Sequence, residues 1–326
     1  MSEKLPKAPA RGETMVWLSS LGLAIGLLMV AAILILILVQ GVEAFWPRQV
    51  AVITLRQGSG DHAGILGAQA FAGELLKTQT KAVRVVTADE HASQEESQYF
   101  VGNKDVYGFG FKYLDEHEVA SREFPTDMMR LERNEYGPMF AQPISLQLKD
   151  QAPLPASAPN FEASLNIQVQ QAAQLRREMR RIERDEIGKI NSAIERYRLK
   201  AKALRSKLPV GVTQDPRLTE WEKRMADLDL EYQELAAKAR ALRERLNQHA
   251  LQVSLATGQT LDVPVGKLID YYYPNRLSSF GRFSRWCHNV YLFLKDEPRE
   301  ANTEGGIFPA IFGTFVMTIL MSLAVT

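Results

Sequence analysis

Residues 15–39 form the longest apolar run of the chain, and this run limits what the protein can be more than any other feature. Its 25 residues carry no charge, and Ser19 and Ser20 are its polar side chains. A helix needs about 20 apolar residues, each rising 1.5 Å, to cross a bilayer. Trp17 lies near one end, and Phe45-Trp46-Pro47 follows the other, where aromatic rings favour the headgroup layer and proline stops a helix. The run therefore predicts a first transmembrane helix.

A cleaved signal peptide is the alternative to a retained anchor. Val42-Glu43-Ala44 would pass as a cleavage site. Signal peptides, however, have apolar cores of roughly 7–15 residues, so the length of the run favours an anchor. The preceding tail, residues 1–14, carries Lys4, Lys7 and Arg11. Because short basic tails stay in the cytoplasm, we expect a cytoplasmic tail and a following domain outside the cytoplasm.

A second uncharged run, residues 305–326, closes the sequence. Its 22 residues are just enough to begin another span. Gly305, Gly306, Pro309 and Gly313 would weaken a soluble helix, but in a membrane they permit close helix packing. We therefore expect the start of a second transmembrane helix, in a chain truncated within that helix. A buried core helix is the alternative.

Charge and cysteine content exclude two classes of protein. Lys and Arg number 39 against 38 Asp and Glu, so the chain lacks the basic excess with which a nucleic-acid-binding protein offsets phosphate charge. One cysteine forms no internal disulfide, which excludes a small disulfide-stapled fold. With two apolar runs, the lipid bilayer is an expected partner and nucleic acid is not.

Residues 40–160 are expected to fold as a mixed α/β segment outside the membrane. Three stretches rich in β-branched or aromatic residues predict strands, and one stretch with small and apolar residues at helical spacing predicts a helix. Three prolines within residues 151–160 predict a linker. The predicted strands are Gln49–Arg56, Ala82–Thr87 and Val106–Tyr113, and the predicted helix is Ala63–Thr78.

A heptad pattern over residues 161–250 predicts a long antiparallel coiled-coil hairpin. Its arms are expected over about 165–208 and 216–250, each roughly 50–60 Å long at 1.5 Å per residue. Asp215 is a good N-cap and Pro216 a good first residue for the second arm. The spacing of the apolar residues alternates between three and four, except for one longer step beside Gly188. The series is Leu175, Met179, Ile182, Ile187, Ile190, Ile194, Tyr197, Ala201, Leu204 and Leu208, then Trp221, Met225, Leu228, Tyr232, Leu235, Ala239, Leu242 and Leu246.

The first arm is strongly basic. Such a face suits the docking of an acidic partner. Charges of alternating sign flank most coiled-coil seams, however, so we favour a solvated face paired with acids of the second arm such as Glu220, Asp227 and Glu231. The basic residues are Arg176, Arg177, Arg180, Arg181, Arg184, Arg196, Arg198, Lys200, Lys202, Arg205 and Lys207.

Residues 251–304 are expected to lead back to the membrane, and they show little β pattern. Residues 278–294 suit a helix with an aromatic side, and Arg282, Arg285 and Asn289 fall mostly off that side. This division is typical of a helix lying on the membrane surface, and a helix docked on the soluble domain is the alternative. The aromatic side comprises Phe280, Phe283, Cys287, Val290, Tyr291 and Leu294.

The sequence carries no pattern that supports catalysis, so we predict a protein that is not an enzyme and has no cofactor, catalytic residue or metal ligand. Cys287-His288 has no companion motif. Gly58–Gly64 follows a predicted strand, but it lacks the spacing of a dinucleotide-binding loop, which favours a tight turn over an anion site. Five histidines lack metal-ligand spacing: His62, His91, His117, His249 and His288.

Several stretches resemble one transporter family. Residues 297–314, EPREANTEGGIFPAIFGT, closely resemble the start of the membrane core in phosphate ABC transporter permeases. The similarity is to the A-type permease subunit of the phosphate-specific system, and Phe45-Trp46-Pro47 is similar to that family too. Three more stretches resemble its enlarged Gram-negative form, which carries a large periplasmic insertion with a helical hairpin: Val101–Gly108, Leu131–Gly137 and Arg184–Asn191.

The resemblance implies the N-terminal part of a bacterial inner-membrane permease subunit of an importer for inorganic phosphate, non-catalytic itself. The implied partners are a second permease subunit, an ATPase dimer and a periplasmic phosphate-binding protein. The family's further spans and its ATPase-docking loop, Glu-Ala-Ala-x-x-x-Gly, do not occur in these 326 residues. No substrate-binding residue is therefore assigned, and the chain by itself is not expected to transport phosphate.

A periplasmic adaptor or scaffold protein without transport is the alternative function. Efflux-pump adaptors also have an N-terminal anchor, mixed structure and a long helical hairpin. They need no second apolar segment, and they usually place the hairpin between β-rich halves. The weak β pattern of residues 251–304 argues against this alternative.

Overall fold

A long apolar helix precedes a domain of two antiparallel sheets. Helix α1 (Glu13–Phe45) contains a segment, Val16–Phe45, that is long and apolar enough to cross a membrane, and 0% of its most apolar window is buried within the protein. This confirms an N-terminal apolar helix that fits a membrane anchor. The computed structural model describes residues 13–58, 64–82, 93–206, 215–295 and 308–325.

The first sheet has five antiparallel strands in the order β4-β3-β2-β1-β5. Its interior strand β1 confirms the strand predicted over residues 49–56, and Val50, Ile53 and Leu55 on it are buried. The strands are β1 (Val50–Leu55), β2 (Ala70–Ala82), β3 (Ser93–Phe100), β4 (Phe111–Asp115) and β5 (Val119–Glu123).

The second sheet follows the order β10-β9-β7-β6-β11, with β8 paired to β7. Strands β9, β10 and β11, the last three in the chain, overturn the expectation of little β pattern in residues 251–304. Each of them has five residues and is held by pairing with a neighbouring strand of the sheet. The strands are β6 (Met129–Arg133), β7 (Met139–Gln147), β8 (Leu154–Pro155), β9 (Ala250–Ser254), β10 (Thr260–Pro264) and β11 (Leu268–Tyr272).

One apolar core joins the two sheets to the base of the helical arms. Phe71 and Tyr99 enter it from the first sheet, Leu146 from the second, and Phe161 and Leu165 from the first arm. All five side chains are buried. Because burial of each large apolar side chain contributes about 1.5–3 kcal/mol, the base of the arms belongs to the folded domain.

The helix predicted over residues 63–78 is wrong, since β2 runs from Ala70 through this region. Small residues such as Ala72 and Gly73 fit helical and strand periodicity equally well, so the pattern was ambiguous. A Cβ on Gly73 would lie 3.0 Å from the carbonyl oxygen of Phe100, which shows how closely the neighbouring strand approaches. Pairing between strands therefore decided the conformation.

Two other predictions differ in detail. The strand predicted over residues 106–113 begins as a short helix, α2 (Lys104–Tyr107), which ends at Gly108 with a φ of +78° before β4 begins. The predicted linker contains β8. The strand predicted at residues 82–87 lies outside the described residues beyond Ala82.

The helical arms follow β8. The first arm consists of α3 (Phe161–Arg180), a π-helical turn (Arg181–Glu186) and α4 (Ile187–Arg205), and the second is α5 (Pro216–Leu246). The π-helical turn adds a residue to the helix just before Gly188, where the apolar series slips, and so keeps the apolar stripe on one side.

The cap predicted for the second arm is confirmed, because the Asp215 carboxylate accepts a 2.9 Å hydrogen bond from the backbone N–H of Arg217. Two ion pairs link the arms in opposite chain order, Glu183 with Arg243 at 2.9 Å and Arg205 with Glu222 at 2.8 Å. The heptad packing of a coiled coil stays a prediction. A second apolar cluster lies between the arms: Ile182, Ile190, Leu235, Ala239 and Leu242.

Two helices complete the described chain, α6 (Ser279–Lys295) and α7 (Phe308–Val325). Helix α6 occupies the stretch for which the sequence predicted a helix. The apolar part of α7, Ala310–Leu323, is shorter than a full span. A second transmembrane helix therefore stays a prediction.

Candidate functional site

A cavity of about 510 Å³ lies where the end of α1, strands β2, β6 and β11, and helix α6 meet. We call it the junction cavity. Part of its wall is apolar, with Phe45, Trp46, Leu76 and Phe293 among the lining residues. The remainder carries six charged side chains of both signs: Arg48, Arg130, Arg285, Glu74, Glu132 and Asp270.

Arg130 lies at the centre of the charged wall and bonds two carboxylates. Its Nη1 donates to Glu74 at 2.6 Å and its Nε donates to Glu132 at 2.7 Å. Residues 130 and 132 share one face of β6 because side chains alternate along a strand. The side chains of Arg130 and Glu74 are 14% and 6% exposed, so the pair is buried.

Burial and charge shift the ionisation of this cluster. Burial raises the pKa of Glu74 above its ordinary value, against the opposing effect of Arg130. Burial alone would lower the pKa of Arg130, but the carboxylates of Glu132 and Glu74 hold that pKa well above its usual range. Burial also raises the pKa of the neighbouring Tyr272 to about 12. Arg130 is therefore a permanent cation that holds two carboxylates.

A second ion pair comes from α6. The Nη1 of Arg285 donates to the Asp270 carboxylate at 2.6 Å, and its guanidinium lies 4.0 Å from the centre of the Tyr272 ring. The Arg285 Nε is buried without a hydrogen-bond partner. His288 Nε2 lies 3.6 Å from the same Asp270 oxygen. Arg285 thus ties α6 to β11 through Asp270 and Tyr272.

Arg48 links the end of α1 to the first sheet. Its Nη1 donates to the carbonyl oxygens of Leu75 and Leu76, at 2.9 and 2.7 Å, and its Nη2 donates to Glu43 at 3.3 Å. These bonds hold the segment after α1 against β2, so this wall of the cavity is attached to the domain.

Helix α6 exposes several aromatic rings and turns charged side chains toward the domain. Its aromatic side is exposed, with Phe280 and Phe283 at 80% and 52% exposure. The side that faces the domain is mixed, because Arg285, whose side chain is 12% exposed, shares it with Leu292 and Phe293. A helix that exposes several aromatic rings while it turns an ion pair inward suits an apolar surrounding better than water.

The structure also shows where the histidines and glycines considered in the sequence lie. His249 Nδ1 accepts a 3.2 Å hydrogen bond from the backbone N–H of Lys149, and Cys287 is exposed. Gly58 has a φ of +89°, as a tight turn requires. His62 and His91 lie outside the described residues. Within the described ranges, no group of three or more His, Cys, Asp or Glu side chains is arranged to hold a metal ion.

Two basic residues of the first arm lie beside acids of the second in a groove of about 370 Å³. Arg196 and Lys200 line it together with Asp227 and Glu231, two of the acids named as partners from the sequence. Arg224 of the second arm lines the groove as well, so this arrangement favours a solvated face of mixed charge over a purely basic docking surface.

The sequence pattern does not predict most residues of the junction cavity. Arg130 and Glu132 alternate with buried Met129 and Leu131, and this alternation of charged and apolar residues marks a strand with a charged face. Glu74, by contrast, lies in the stretch misassigned as a helix. Arg285 and Asn289 were placed on the polar side of their helix, and the structure turns that side toward the cavity.

Comparison with known proteins identifies no relative of this chain. The chain matches no protein family, no curated protein and no solved structure. The resemblance to phosphate permeases accordingly stays a prediction, and the function is inferred from the residues and their geometry.

Proposed function

We propose that the chain is the N-terminal part of a bacterial inner-membrane permease subunit of an ABC importer for inorganic phosphate. In this proposal it is not an enzyme, and it works with a second permease subunit, an ATPase dimer and a periplasmic phosphate-binding protein. The observation that supports it is the position of α6, which contacts both α1 and α7. The chain thus enters and leaves the folded domain at one place, as it does in a domain inserted between two membrane helices.

Contacts at the end of α1 favour a retained anchor over a cleaved signal peptide. Trp286 donates a 3.0 Å hydrogen bond to the carbonyl oxygen of Val42, and Phe45 packs on Phe293 with ring centres 4.7 Å apart. Cleavage after Ala44 would remove the first of these contacts. The proposed orientation places the N-terminus in the cytoplasm, the domain in the periplasm and α6 at the membrane surface.

The helical arms are the proposed docking element. Their base contributes Phe161 and Leu246 to the domain core, whereas the part beyond Ile194 carries few buried side chains. The two inter-arm ion pairs place residues 195 and 231 roughly opposite each other. The outer part of the arms is therefore separable from the fold of the domain.

This separation allows a direct test. Residues 195–231 are replaced by a short glycine-rich turn in the complete native protein, and phosphate uptake and co-purification of the partner subunits are measured. We expect both to fall while membrane abundance and thermal unfolding of the domain stay unchanged. Uptake and assembly at the level of the unaltered protein would overturn the docking role.

A periplasmic adaptor without transport is the second candidate, and one observation favours it. Strand β9 follows the second arm and pairs with β7, which precedes the first arm, so strands flank the arms on both sides. A topology reporter fused after Thr326 separates the two candidates. A cytoplasmic signal supports a second span and the permease, and a periplasmic signal supports the adaptor.

A further inference from the structure

Six aromatic rings of the folded domain stay exposed around the end of α1. We propose that these rings rest in the headgroup layer of the bilayer, so that both edge strands of the first sheet, β4 and β5, contact phospholipid. The inference rests on α1 as a membrane anchor and not on phosphate import. The rings, which we call the aromatic collar, are the described phenylalanine and tryptophan side chains between residues 46 and 295 that are at least 37% exposed: Trp46, Phe109, Phe111, Phe124, Phe280 and Phe283.

The length of α1 sets the level of the collar. The apolar segment of α1 has 30 residues, and at 1.5 Å per residue it extends about 45 Å, the thickness of a bilayer with its headgroup layers. Its last residue, Phe45, therefore lies at the outer boundary of the headgroup layer. Trp46 follows directly and is exposed, as is typical of tryptophan at a membrane–water interface.

Helix α6 contributes two rings at this level. Trp286 donates its hydrogen bond to the carbonyl oxygen of Val42, which lies about one helical turn nearer the membrane interior than the end of α1. The Phe283 ring stacks on the Trp286 ring with centres 5.9 Å apart, so Phe283 is held beside α1. Phe280 lies one turn earlier on the same side of α6 and is the most exposed ring of the collar.

Edge strand β4 extends the collar onto the first sheet. Phe111, the first residue of β4, lines the junction cavity together with Phe45 and Trp46. Its ring packs on the Phe100 ring with centres 5.3 Å apart, yet more than half of Phe111 stays exposed. Phe109 precedes Phe111 by two positions. The beginning of β4 therefore lies at the place where the chain leaves the bilayer.

The opposite edge strand, β5, ends beside the start of α6. Phe124 follows β5 directly, and the carbonyl oxygen of the next residue, Pro125, accepts a 2.8 Å hydrogen bond from Nδ2 of Asn275. The same Nδ2 donates to the carbonyl oxygen of Val50, the first residue of β1, at 2.8 Å. Because Val50 lies five positions after the end of α1, a span of at most about 18 Å, Phe124 also belongs to the membrane side of the domain.

A bilayer fits this arrangement better than a docked protein does. None of the most apolar window of α1 is buried within the protein, so lipid surrounds the helix at the middle of the collar. The rings are spread over several elements around that helix, whereas a protein-docking site concentrates its rings near the centre of one patch. Helix α6 also contributes Arg282 and Lys295 and contains no acidic residue, which suits anionic phospholipids.

Depth measurements by spin labelling test the collar. Cys287 is the only cysteine of the chain, so Cys287→Ser provides a background into which one labelled cysteine at a time is introduced. The full chain is reconstituted in nanodiscs of phosphatidylethanolamine and phosphatidylglycerol. The accessibility of each nitroxide to oxygen, which dissolves in the bilayer, is compared with its accessibility to a water-soluble nickel complex. The collar variants are Phe111→Cys, Phe124→Cys, Phe280→Cys and Phe283→Cys, and the controls are Leu66→Cys and Leu230→Cys.

The two controls are exposed apolar positions away from the collar. Leu66 is 59% exposed and lies in a turn beyond the end of β1 that is opposite α1, and Leu230 is 62% exposed and lies on the outer part of α5. We expect the ratio of oxygen to nickel accessibility at the four collar positions to exceed the ratio at the controls at least about threefold, because a polar complex is excluded from apolar surroundings. Thermal unfolding verifies that each variant folds, and Phe109→Cys reports on the same edge if Phe111→Cys does not fold.

A ratio equal to that of the controls at either sheet edge, Phe111 or Phe124, would overturn the proposal. This holds even where Phe280 and Phe283 report lipid, since α6 without the sheet would then contact the membrane. The chain is measured without partner subunits. Shielding of the two sheet positions that arises only when partner subunits are added would therefore also overturn the proposal and would identify a protein-docking surface.

Phosphate uptake by the complete native protein is measured separately. A collar in contact with lipid and no phosphate uptake would refute the proposed import function and leave the collar standing. Normal uptake with water-exposed sheet edges would refute the collar alone.

Discussion

The indole Nε1 of Trp286 donates a 3.0 Å hydrogen bond to the carbonyl oxygen of Val42, which lies 244 positions earlier in the chain. Asn289 donates similarly to the carbonyl oxygen of Phe45, at 3.2 Å. The last four carbonyls of a helix lack partners within that helix, so side chains of α6 cap the end of α1. The apolar helix is thereby attached to the folded domain.

We expect Trp286→Phe combined with Asn289→Leu to loosen this attachment. Each lost hydrogen bond should cost about 0.5–1.5 kcal/mol, at the lower end because both bonds are partly exposed. Amide hydrogen exchange of residues 42–48 should speed up while exchange in β1 stays slow. Trp17→Phe, on an exposed part of α1, is the matched control. Unchanged exchange in the double variant would show that the cap contributes nothing.

Arg130 should be one of the most sensitive positions in the domain. Arg130→Leu leaves Glu74 and Glu132 buried beside each other without their shared cation, and a buried pair broken in this way costs about 3–5 kcal/mol. Chemical unfolding of the detergent-solubilised chain measures the loss. Arg282→Leu, which removes an arginine outside the junction cavity, should change the free energy of unfolding by less than about 1 kcal/mol. Similar losses in both variants would contradict the buried cluster.

The Glu74→Gln variant should gain stability relative to the unaltered protein as the pH rises. Burial raises the folded-state pKa of Glu74 above its ordinary value of 4.5, so between these two values the folded chain holds a proton that the unfolded chain has lost. The free energy of unfolding of the unaltered protein therefore falls as pH rises through this window, and glutamine removes that fall. The difference in stability between variant and parent, measured at about pH 4 and pH 8, should shift in favour of the variant. A shift in the other direction would refute the raised pKa.

Asp105 should show the opposite dependence. Burial acts to raise its pKa, but two 2.7 Å hydrogen bonds from Arg133 and the charge of that residue outweigh burial and lower the pKa below its ordinary value of 3.8. Its contribution to stability is present above that value and is lost as pH falls through the lower folded-state pKa. Asp105→Asn should therefore destabilise the domain at about pH 7 and less so at about pH 3. Equal destabilisation at both pH values would show that the ion pair is not the cause.

Two glycines provide a matched pair for the packing of the arms. A Cβ on Gly266 would collide with the backbone carbonyl of Leu246 at the end of α5, so Gly266→Ala should cost about 1–3 kcal/mol. Gly188 lies in α4 with open space around it, so Gly188→Ala should stabilise by about 0.5–1 kcal/mol. Thermal unfolding of the two variants should therefore shift in opposite directions. A common direction would argue against the close approach at Gly266.

Residues 40–160 show which strands the local sequence pattern predicts and which it does not. The strand at residues 49–56 was predictable because its β-branched run suits a buried strand. The strand through residues 70–78 was missed because alanine and glycine give no periodicity of their own. Its neighbour β3, which approaches Gly73 closely, determines its conformation. Likewise, strands β9 and β11 depend on pairing with β7 and β6, which lie more than 100 positions earlier in the chain.

The sequence by itself determined the features that depend on neighbouring residues. These include the apolar helix α1, the Asp215 cap of the second arm, and the division of α6 into an aromatic and a polar side. Tertiary structure alone decided the junction cavity. Glu74 and Arg130 are 56 positions apart and meet because β2 and β6 bring them together, and α6 brings Arg285 to the same wall. Such contacts follow from strand pairing and helix packing across the whole domain, which no local spacing records.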